Sequence, residues 1–272
     1  MYSRGKPVKW KHVGWSGGSP LSFESIFGAN YYDDWDFNDL ATISQTGGGW
    51  INSITSKGLN GAVFSSTGAR RPILTADVVL GKNIADFDGV SDYLEVPLST
   101  AMYNFLHNGQ GLIICVLKSK TSITATKSFI ANAVGTANVG FFLVGISLNK
   151  LSHQILRGVG GTRTVRNDGS IVATVSDYNS IVVVSNTSAG TATERSDLLI
   201  NGVSNKNNSD TNAPSGSDAN YNLVMGAAGN TGSLSANVKI ARIVIIDTLP
   251  TTEQLAQVQT LLTSEYGTFP IS

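Results

Sequence analysis

The sequence is poor in cysteine, with Cys115 as the single thiol among 272 residues. A lone thiol cannot form a disulfide within the chain, so a chain of this length has to be held together by a buried core. Aliphatic residues flank Cys115 throughout the run 112–117. Because a free cysteine behaves as a small apolar residue, this setting predicts a buried strand residue with an unreactive thiol.

Charge is also scarce. Charged residues make up 14% of the chain, and 19 basic and 19 acidic side chains give a formal net charge of zero. A balanced chain has no general attraction to nucleic acid or to a charged membrane surface. We therefore expect no nucleic-acid partner and no membrane insertion.

Long apolar runs are missing as well. No stretch approaches the roughly 18 apolar residues of a membrane helix. The N-terminal residues, MYSRGKPVKWKHVGWSGG, lack the apolar centre of a secretory signal. We expect synthesis in a cytoplasm without export by a standard route.

Glutamate is rare, and this bears on catalysis. Glycosidases of β-sandwich folds use two carboxylates on one face of a strand. None of the glutamates has a second carboxylate two residues away in a predicted strand; they are Glu24, Glu95, Glu194, Glu253 and Glu265. The segment 33–39 is rich in aspartate, but its pattern predicts no strand. The sequence therefore predicts a protein without catalytic residues.

Two further patterns lack the context that chemistry needs. Residues 14–18, GWSGG, match the letters of a nucleophile elbow, but an elbow needs a preceding strand and a following helix. The histidines His12, His107 and His153 are scattered and have no acidic or cysteine neighbours, which does not support a transition-metal site. We expect His107 to end a short helical turn and His153 to lie on the polar side of a strand.

A calcium site is the remaining metal hypothesis. Asp86, Asp88 and Asp92 are close in sequence, and carboxylate oxygens suit a hard cation. The simpler interpretation is that Asp88 shapes a turn and Asp92 caps a strand. We predict no metal and no cofactor.

Glycine and short apolar runs are what the chain has in quantity. Runs that are apolar throughout are typical of strands buried between two stacked sheets. The predicted strands are 111–119, 127–133, 140–148, 151–156, 170–175, 180–185, 197–204, 221–227 and 238–247. Asp88-Gly89 between two apolar segments predicts a hairpin, because glycine accepts the positive φ of a tight turn. Residues 205–222 form a long polar loop.

The pattern near the C-terminus is helical. Thr251 and Gln254 have the spacing of a capping box, and Gly267 provides a stop. The helix predicted over 252–265 closes an all-β, two-sheet antiparallel sandwich through Leu255, Val258 and Leu262. The residues predicted to lie inside are Phe87, Tyr93, Leu94, Ile114, Val116, Phe142, Val183, Leu199 and Ile243.

Residues 1–20 differ in composition from the rest. Basic residues alternate with tryptophans, and an acidic segment with no cation before Lys57 follows. We predict an extended arm that contacts a partner, either another protein or the segment 33–39 of a neighbouring copy. Its contact residues are Lys6, Lys9, Trp10, Lys11 and Trp15. The alternative is a solvated tail.

Tyr31, Tyr32 and Trp35 form the aromatic start of the next region. Aromatic rings of this kind can stack on a sugar, so these three are candidate glycan-binding residues. The alternative is that Trp35 seals the start of the sandwich.

Several short motifs follow one another along the chain. They are the aromatic and acidic segment 32–36, Arg71-Pro72, FDGVSDYL at 87–94, Asn201-Gly202 and the final segment 265–267. With these motifs, the chain from about Trp35 onward resembles laminin-G-like, concanavalin-A-like jelly rolls of bacteriophage virions and bacterial surfaces. The resemblance implies a jelly-roll domain over 21–272 behind the arm 1–20.

What this resemblance implies for function is a non-enzymatic virion protein. A head decoration, head fibre or tail-associated protein would display the jelly roll outward and bind other virion proteins or copies of itself. The alternative that the fold implies is a lectin or adhesin module recognising host surface carbohydrate.

Overall fold

The computed structural model describes residues 20–66, 68–135, 137–160, 162–172, 177–229 and 233–269. The predicted partner contacts Lys6, Lys9, Trp10, Lys11 and Trp15 lie outside these residues, as does the 14–18 motif. The predictions made for the arm therefore stay predictions.

Strands dominate the described residues. They are β1 (Tyr31–Asp36), β2 (Ile43–Thr46), β3 (Trp50–Thr55), β4 (Val63–Ser65), β5 (Ile73–Asp77), β6 (Lys82–Asp86), β7 (Leu94–Val96), β8 (Gln110–Ser119), β9 (Lys127–Ala131), β10 (Val139–Ile146), β11 (Lys150–Arg157), β12 (Arg163–Val172), β13 (Asn179–Asn186), β14 (Ser196–Ile200), β15 (Leu223–Met225) and β16 (Val238–Ile246). The helices are α1 (Phe23–Phe27), α2 (Phe105–Asn108) and α3 (Thr252–Tyr266).

The strands form two antiparallel layers. Sheet A has the order β5-β6-β16-β8-β13-β14, with β1 beside β16, and sheet B has the order β12-β11-β10-β9-β15-β7-β4-β3, with β2 beside β3. A single residue pair, Trp50 with Ile73, connects β3 to β5 and so joins the two layers. The predicted all-β sandwich is confirmed.

The main core lies between the sheets. Phe141, Leu143 and Ile155 from sheet B pack against Ile243 and Ile245 from sheet A. A second apolar layer lies outside sheet A, where α1 and α3 cover the other face of the same strands. Strands buried on both faces have apolar residues at every position, which explains the continuous runs in the sequence.

The terminal helix is confirmed with both of its ends. The Thr251 side chain accepts from the Gln254 amide, the Gln254 side chain accepts from the Thr251 amide, and Gly267 caps the end with φ 81. Val258 and Leu262 are buried and Leu255 is half-buried on the outer face of sheet A. Because two donors at the helix start are satisfied locally, the capping box identified this boundary from sequence.

All of the predicted inner residues except Leu199 are buried, but not all of them lie between the sheets. Ile114 and Val116 are buried on the outer face of sheet A, and Phe142 is buried on the outer face of sheet B. Leu199 is half-buried, and Leu198 fills the core instead. Alternation along β14 places one leucine on each face of the sheet.

The prediction that no strand supports the acidic segment 33–39 is wrong. Tyr31–Asp36 is strand β1, which pairs with β16. Asp34 is fully buried, and its carboxylate receives two hydrogen bonds from Arg242, Nε to Oδ1 at 2.8 Å and Nη2 to Oδ2 at 2.6 Å. The Arg242 Nη1 donates to Glu265 at 2.7 Å and thereby ties the end of α3 to sheet A.

The other acids of this segment are also paired within the chain. Asp33 is buried and accepts from Asn60 at 2.8 Å and from the Tyr103 hydroxyl at 2.9 Å. Lys57 lies 3.0 Å from Asp36 and 3.6 Å from Asp39. The segment is therefore not a free acidic surface, because cations distant in sequence neutralise it.

The hairpin predicted at Asp88-Gly89 is also wrong, although the turn is present. Asp88 Oδ1 accepts from the backbone amides of Val90, Ser91 and Asp92, and Gly89 has φ 75. The flanking strands do not pair with each other, because β6 joins β5 and β16 whereas β7 joins β4 and β15. A turn signal determines the local chain reversal, but the apolar faces decide which strands pair.

Four strands between residues 43 and 77 were not predicted. Their residues are largely half-exposed and polar, as in β2, where Ser44, Gln45 and Thr46 face solvent. The start of β12 was also placed too late, at 170 instead of Arg163, and residues 173–176 lie outside the described part. Strands without an apolar run give no strong sequence signal.

Candidate functional site

The outer face of sheet B is where polar side chains gather in register. In β10 and β11, Val144 is opposite Ser152 and Phe142 is opposite Gln154. The array continues into β12, where Asp168 is opposite Ser152 and Arg166 is opposite Gln154. Because side chains alternate along a strand, these residues share one face.

A groove of about 500 Å³ lies on this face. Its apolar side is formed by strand β10 and by Leu234, and its polar side by strands β11 and β12. The lining residues are Ala125, Thr126, Gly135, Phe142, Val144, Ile146, Ser147, Gln154, Arg163, Arg166 and Leu234. Apolar surface beside a few converging polar groups is the usual character of a small-molecule site.

The polar side of the groove is one continuous chain of hydrogen bonds. Arg163 Nε donates to Gln154 Oε1 at 3.1 Å, and Gln154 Nε2 donates to Ser152 Oγ at 3.1 Å. The Ser152 hydroxyl donates to Asp168 Oδ1 at 2.5 Å, and Arg166 Nε donates to Asp168 Oδ2 at 2.8 Å. The two guanidinium groups are thereby held by fixed neighbours rather than extending freely into solvent.

A second hollow of about 360 Å³ adjoins the groove at the two arginines. Asp168, Asn207, Ser209 and Asp210 complete its lining together with Arg163 and Arg166. The polar loop 205–222 therefore contributes to this side of the site.

Buried asparagine holds the beginning of that loop against β12. The Asn208 Oδ1 accepts from the Arg166 amide at 2.8 Å, and its Nδ2 donates to the Ala192 carbonyl at 2.8 Å. Further along, Asn212 donates to the Arg163 carbonyl at 2.9 Å. The loop thus fixes the backbone of both arginines.

The prediction for His153 is wrong, because it faces the interior and not the polar side of its strand. Its Nδ1 lies 2.8 Å from Ser196 Oγ, and its ring is buried. Burial lowers the pKa of His153 to about 3, so the ring is neutral near pH 7. The neighbouring Gln154 points to the groove, so β11 separates a neutral interior from a charged exterior.

The predicted glycan-stacking residues lie on β1 in sheet A, and none of them lines the groove. Trp35 is fully buried and donates from Nε1 to the Ala62 carbonyl at 3.0 Å. Tyr31 is buried and its hydroxyl donates to Asp34. Neither ring presents a face on which a sugar can stack, so Trp35 takes its alternative role of sealing the sandwich. Tyr32 is half-buried against Tyr103 and Phe105.

The aspartates of the calcium hypothesis are used inside the fold. Asp88 accepts the amides of its own turn, Asp86 pairs with Lys120 at 2.5 Å, and Asp92 accepts from the Asp88 amide at 3.0 Å. Burial and the nearby Asp88 raise the pKa of Asp92 to about 6. Within the described ranges, no group of three or more His, Cys, Asp or Glu side chains is placed to hold a metal ion.

Two single residues lie where they were predicted. His107 lies in the short helix α2 and contacts the Ser217 carbonyl at 3.0 Å, while burial lowers its pKa. Cys115 is fully buried, and burial raises the pKa of its thiol. In the part of the chain that the structure describes, no helix is both long enough and apolar enough to cross a membrane.

The groove was missed although β10 and β11 were predicted, because the strand that carries its charged residues has a weak signal at its start. Arg163, Arg166 and Asp168 occupy the first six positions of β12, ahead of residue 170, where the predicted strand begins. The available signal was that Ser152 and Gln154 lie two residues apart in a predicted strand, which places both on one face.

No protein-family model matches the chain. The comparison with curated proteins also finds no match. Among solved structures, the chain is similar to Trypanosoma rangeli sialidase in complex with 2,3-difluoro-KDN, with a TM-score of 0.59 and 10% identity over 90% of this chain and 34% of the sialidase chain. The same sialidase in complex with sialic acid gives a TM-score of 0.58 and 11% identity over 90% and 35% of the two chains.

The chain spans about a third of the length of these sialidase chains. At this level of identity the likeness shows the fold, an all-β sandwich, which is the part of the jelly-roll resemblance that the comparisons confirm.

Proposed function

We propose that this chain is a carbohydrate-binding β-sandwich domain, and that a saccharide lies in the groove of sheet B. The observation that carries the proposal is the groove itself, where the apolar side formed by β10 meets an ordered polar side from β11 and β12. Sugars present both kinds of surface, because their C–H faces pack on apolar groups while their hydroxyls exchange hydrogen bonds with planar polar groups. The similarity to a sialidase solved with sialic acid supports this choice at the level of fold.

A glycan array tests the proposal. The domain is displayed multivalently, because individual saccharide sites of this size are weak and avidity makes them measurable. We expect Gln154→Ala to weaken binding to the best glycan by about threefold to tenfold, the effect of one lost hydrogen bond.

Gln45→Ala is the matched control, since Gln45 is exposed on β2 and does not line the groove. The control should bind like the unmodified domain. Silence of the multivalent form across the array, or equal loss in both variants, contradicts the proposal.

We further propose that the domain does not hydrolyse the saccharide that it binds. The hollow beside the arginines contains two carboxylates, Asp168 and Asp210. Asp168 already engages Ser152 with one oxygen and Arg166 with the other, so it is not a free nucleophile. Incubation with β-glucans, galactans and capsular polysaccharides should release no reducing ends. Turnover abolished by Asp168→Asn or Asp210→Asn would show that the domain is an enzyme.

A place on a bacteriophage particle, with residues 1–20 as the anchor, stays a prediction that no comparison tests. The internal pairing of Asp33, Asp34 and Asp36 favours a different protein over the segment 33–39 of a second copy as the arm's partner. Deleting residues 1–20 should leave the sandwich folded and abolish incorporation into the particle. Normal incorporation of the shortened chain would place the anchor on the sandwich.

A further inference from the structure

We infer that the groove selects saccharides that carry an anionic group, a carboxylate or a sulfate, and that Arg163 and Arg166 bind that group. This inference rests on the proposed carbohydrate binding and adds the chemical class of the ligand.

The charged residues that line the groove are basic. Both arginines line the groove, and no aspartate or glutamate does so within the described residues. Asp168 and Asp210 lie on the side of the adjoining hollow instead. A ligand in the groove therefore meets two positive charges. One of them, Arg166, pairs with Asp168 from the side of the hollow.

The two guanidinium groups have few partners within the fold. Arg163 is half-buried, and no carboxylate of the described chain lies within 4 Å of it. Arg166 has one acidic neighbour, Asp168, and its side chain is 52% exposed. Both arginines use Nε for a bond inside the fold, to Gln154 and Asp168. In the described part of the chain, no acceptor is bound to the terminal nitrogens of either group.

Arg242, the buried arginine of this fold, provides a comparison. Each of its nitrogens donates to a carboxylate, and its side chain is only 8% exposed. Arg163 and Arg166 are held by neighbours but leave their outer nitrogens unused. Terminal guanidinium nitrogens of this kind match the oxygens of a carboxylate or sulfate, and such charge-assisted hydrogen bonds are about twice as strong as neutral ones.

The experiment compares glycans that differ only in charge. Three pairs are displayed at equal density: sialyllactose and lactose, a glucuronate-terminated and a glucose-terminated disaccharide, and sulfated and unsulfated galactose. We expect the anionic member of at least one pair to bind about tenfold or more tightly, the usual effect of one charge-assisted hydrogen bond. The carboxylated and sulfated pairs distinguish the two sources of charge.

The variants assign that preference to residues. Arg163→Ala and Arg166→Ala should each reduce binding of the anionic glycan about tenfold, and the loss for the neutral member of the pair should be several-fold smaller. Arg70→Ala is the matched control, because Arg70 is exposed and lies outside the groove lining. Thermal unfolding midpoints confirm that the variants are folded.

The results distinguish the charge preference from carbohydrate binding as such. Preference for anionic glycans that both groove variants abolish supports the inference. Equal binding of charged and neutral members, or a preference that survives both substitutions, overturns the inference and leaves carbohydrate binding intact. Failure to bind any glycan overturns the proposed function together with it.

Discussion

The outer faces of the two sheets have opposite characters, although both are built from alternating strands. Sheet A faces the helices α1 and α3, and its outer residues Ile114 and Val244 are buried under Val258 and Leu262. Sheet B has a smaller apolar cluster on its outside and leaves β11 and β12 open. The outer face of sheet A therefore stabilises the fold through its contacts with the helices, whereas the outer face of sheet B is open to a ligand.

The two kinds of arginine show the same contrast. Arg242 in β16 is enclosed by Asp34 and Glu265 at the side of sheet A that the helices cover. Arg166 in β12 pairs with one carboxylate and is mostly exposed. A buried ion pair adds less than its geometry suggests, but removal of one partner leaves an uncompensated buried charge.

The largest expected effect follows from that asymmetry. Arg242→Ala should lower the free energy of unfolding by about 3–5 kcal/mol, because the Asp34 carboxylate stays buried without its cation. Arg166→Ala should change it by less than about 0.5 kcal/mol, as an exposed site does. Urea unfolding of both variants measures the two changes in the free energy of unfolding. Equal losses would mean that the two faces do not differ as described.

Truncation of a leucine on each outer face should give the next largest difference in the free energy of unfolding. Leu262→Ala on α3 should cost about 3 kcal/mol, because it leaves a cavity between the helix and sheet A. Leu234→Ala beside the groove should cost about 1 kcal/mol, since that side chain is only half-buried. Thermal and urea unfolding compare the two leucines. A larger loss at Leu234 would contradict the assignment of stability to the helix-covered face.

The free energy of unfolding should depend on pH through His153 on the inner side of β11, and not through Gln154 on its outer side. The folded pKa of His153 is about 3, below the ordinary value of 6.5, so the unfolded chain binds more protons between these values. The stability that the neutral ring provides is therefore complete above about pH 6.5 and is lost as the pH falls toward 3, by about 1.4 kcal/mol per unit.

Removing the titrating ring should remove that slope. The destabilisation caused by His153→Gln should be about 3 kcal/mol smaller near pH 4.5 than near pH 7. Gln154→Ala, its neighbour on the groove side, is the control and should show no such change. Urea midpoints across this range supply the measurement, and a pH-independent effect of His153→Gln would place the ring in contact with solvent.

The smallest effect concerns the exposed ion pair. Asp168→Asn should change the free energy of unfolding by no more than about 1 kcal/mol, because the pair is partly exposed. The same substitution should tighten binding of an anionic glycan by a few fold, since it removes the negative charge that competes for Arg166. Isothermal titration with the glycan found on the array measures the direction and the size of the change in affinity. Weaker binding would show that Asp168 acts mainly by positioning Arg166.

The sequence predicted the sandwich well wherever burial is strong. Strands such as β8, β13 and β16 contain long apolar runs because both of their faces are covered. The helix α3 was predicted with its capping residues because a cap is a local interaction between Thr251 and Gln254. The half-exposed strands β2 to β5 were missed, since their polar residues have no periodicity strong enough to indicate a strand.

The candidate site was beyond sequence reasoning for a related reason. The aromatic residues that seemed suited to sugar, Tyr31 and Trp35, are core residues, because aromatic side chains bury large apolar areas. The groove instead combines residues of β10, β11 and β12, which are brought together by strand register and not by spacing along the chain. The loop 205–222 adds to the adjoining hollow.

The fold class, the terminal helix and the burial of Cys115 could be predicted from the chain alone, since periodicity, capping and local apolar runs dictate them. Which charged side chains are available to a ligand depends on the folded arrangement. The acidic segment 33–39 looked free because its cations, Lys57 and Arg242, are remote in sequence. The fold neutralises it, since Arg242 lies on the neighbouring strand β16 and Lys57 follows strand β3. The arginines of β12 looked unremarkable, and an open sheet face makes them accessible, because solvent exposure depends on what covers a residue and not on its neighbours in the chain.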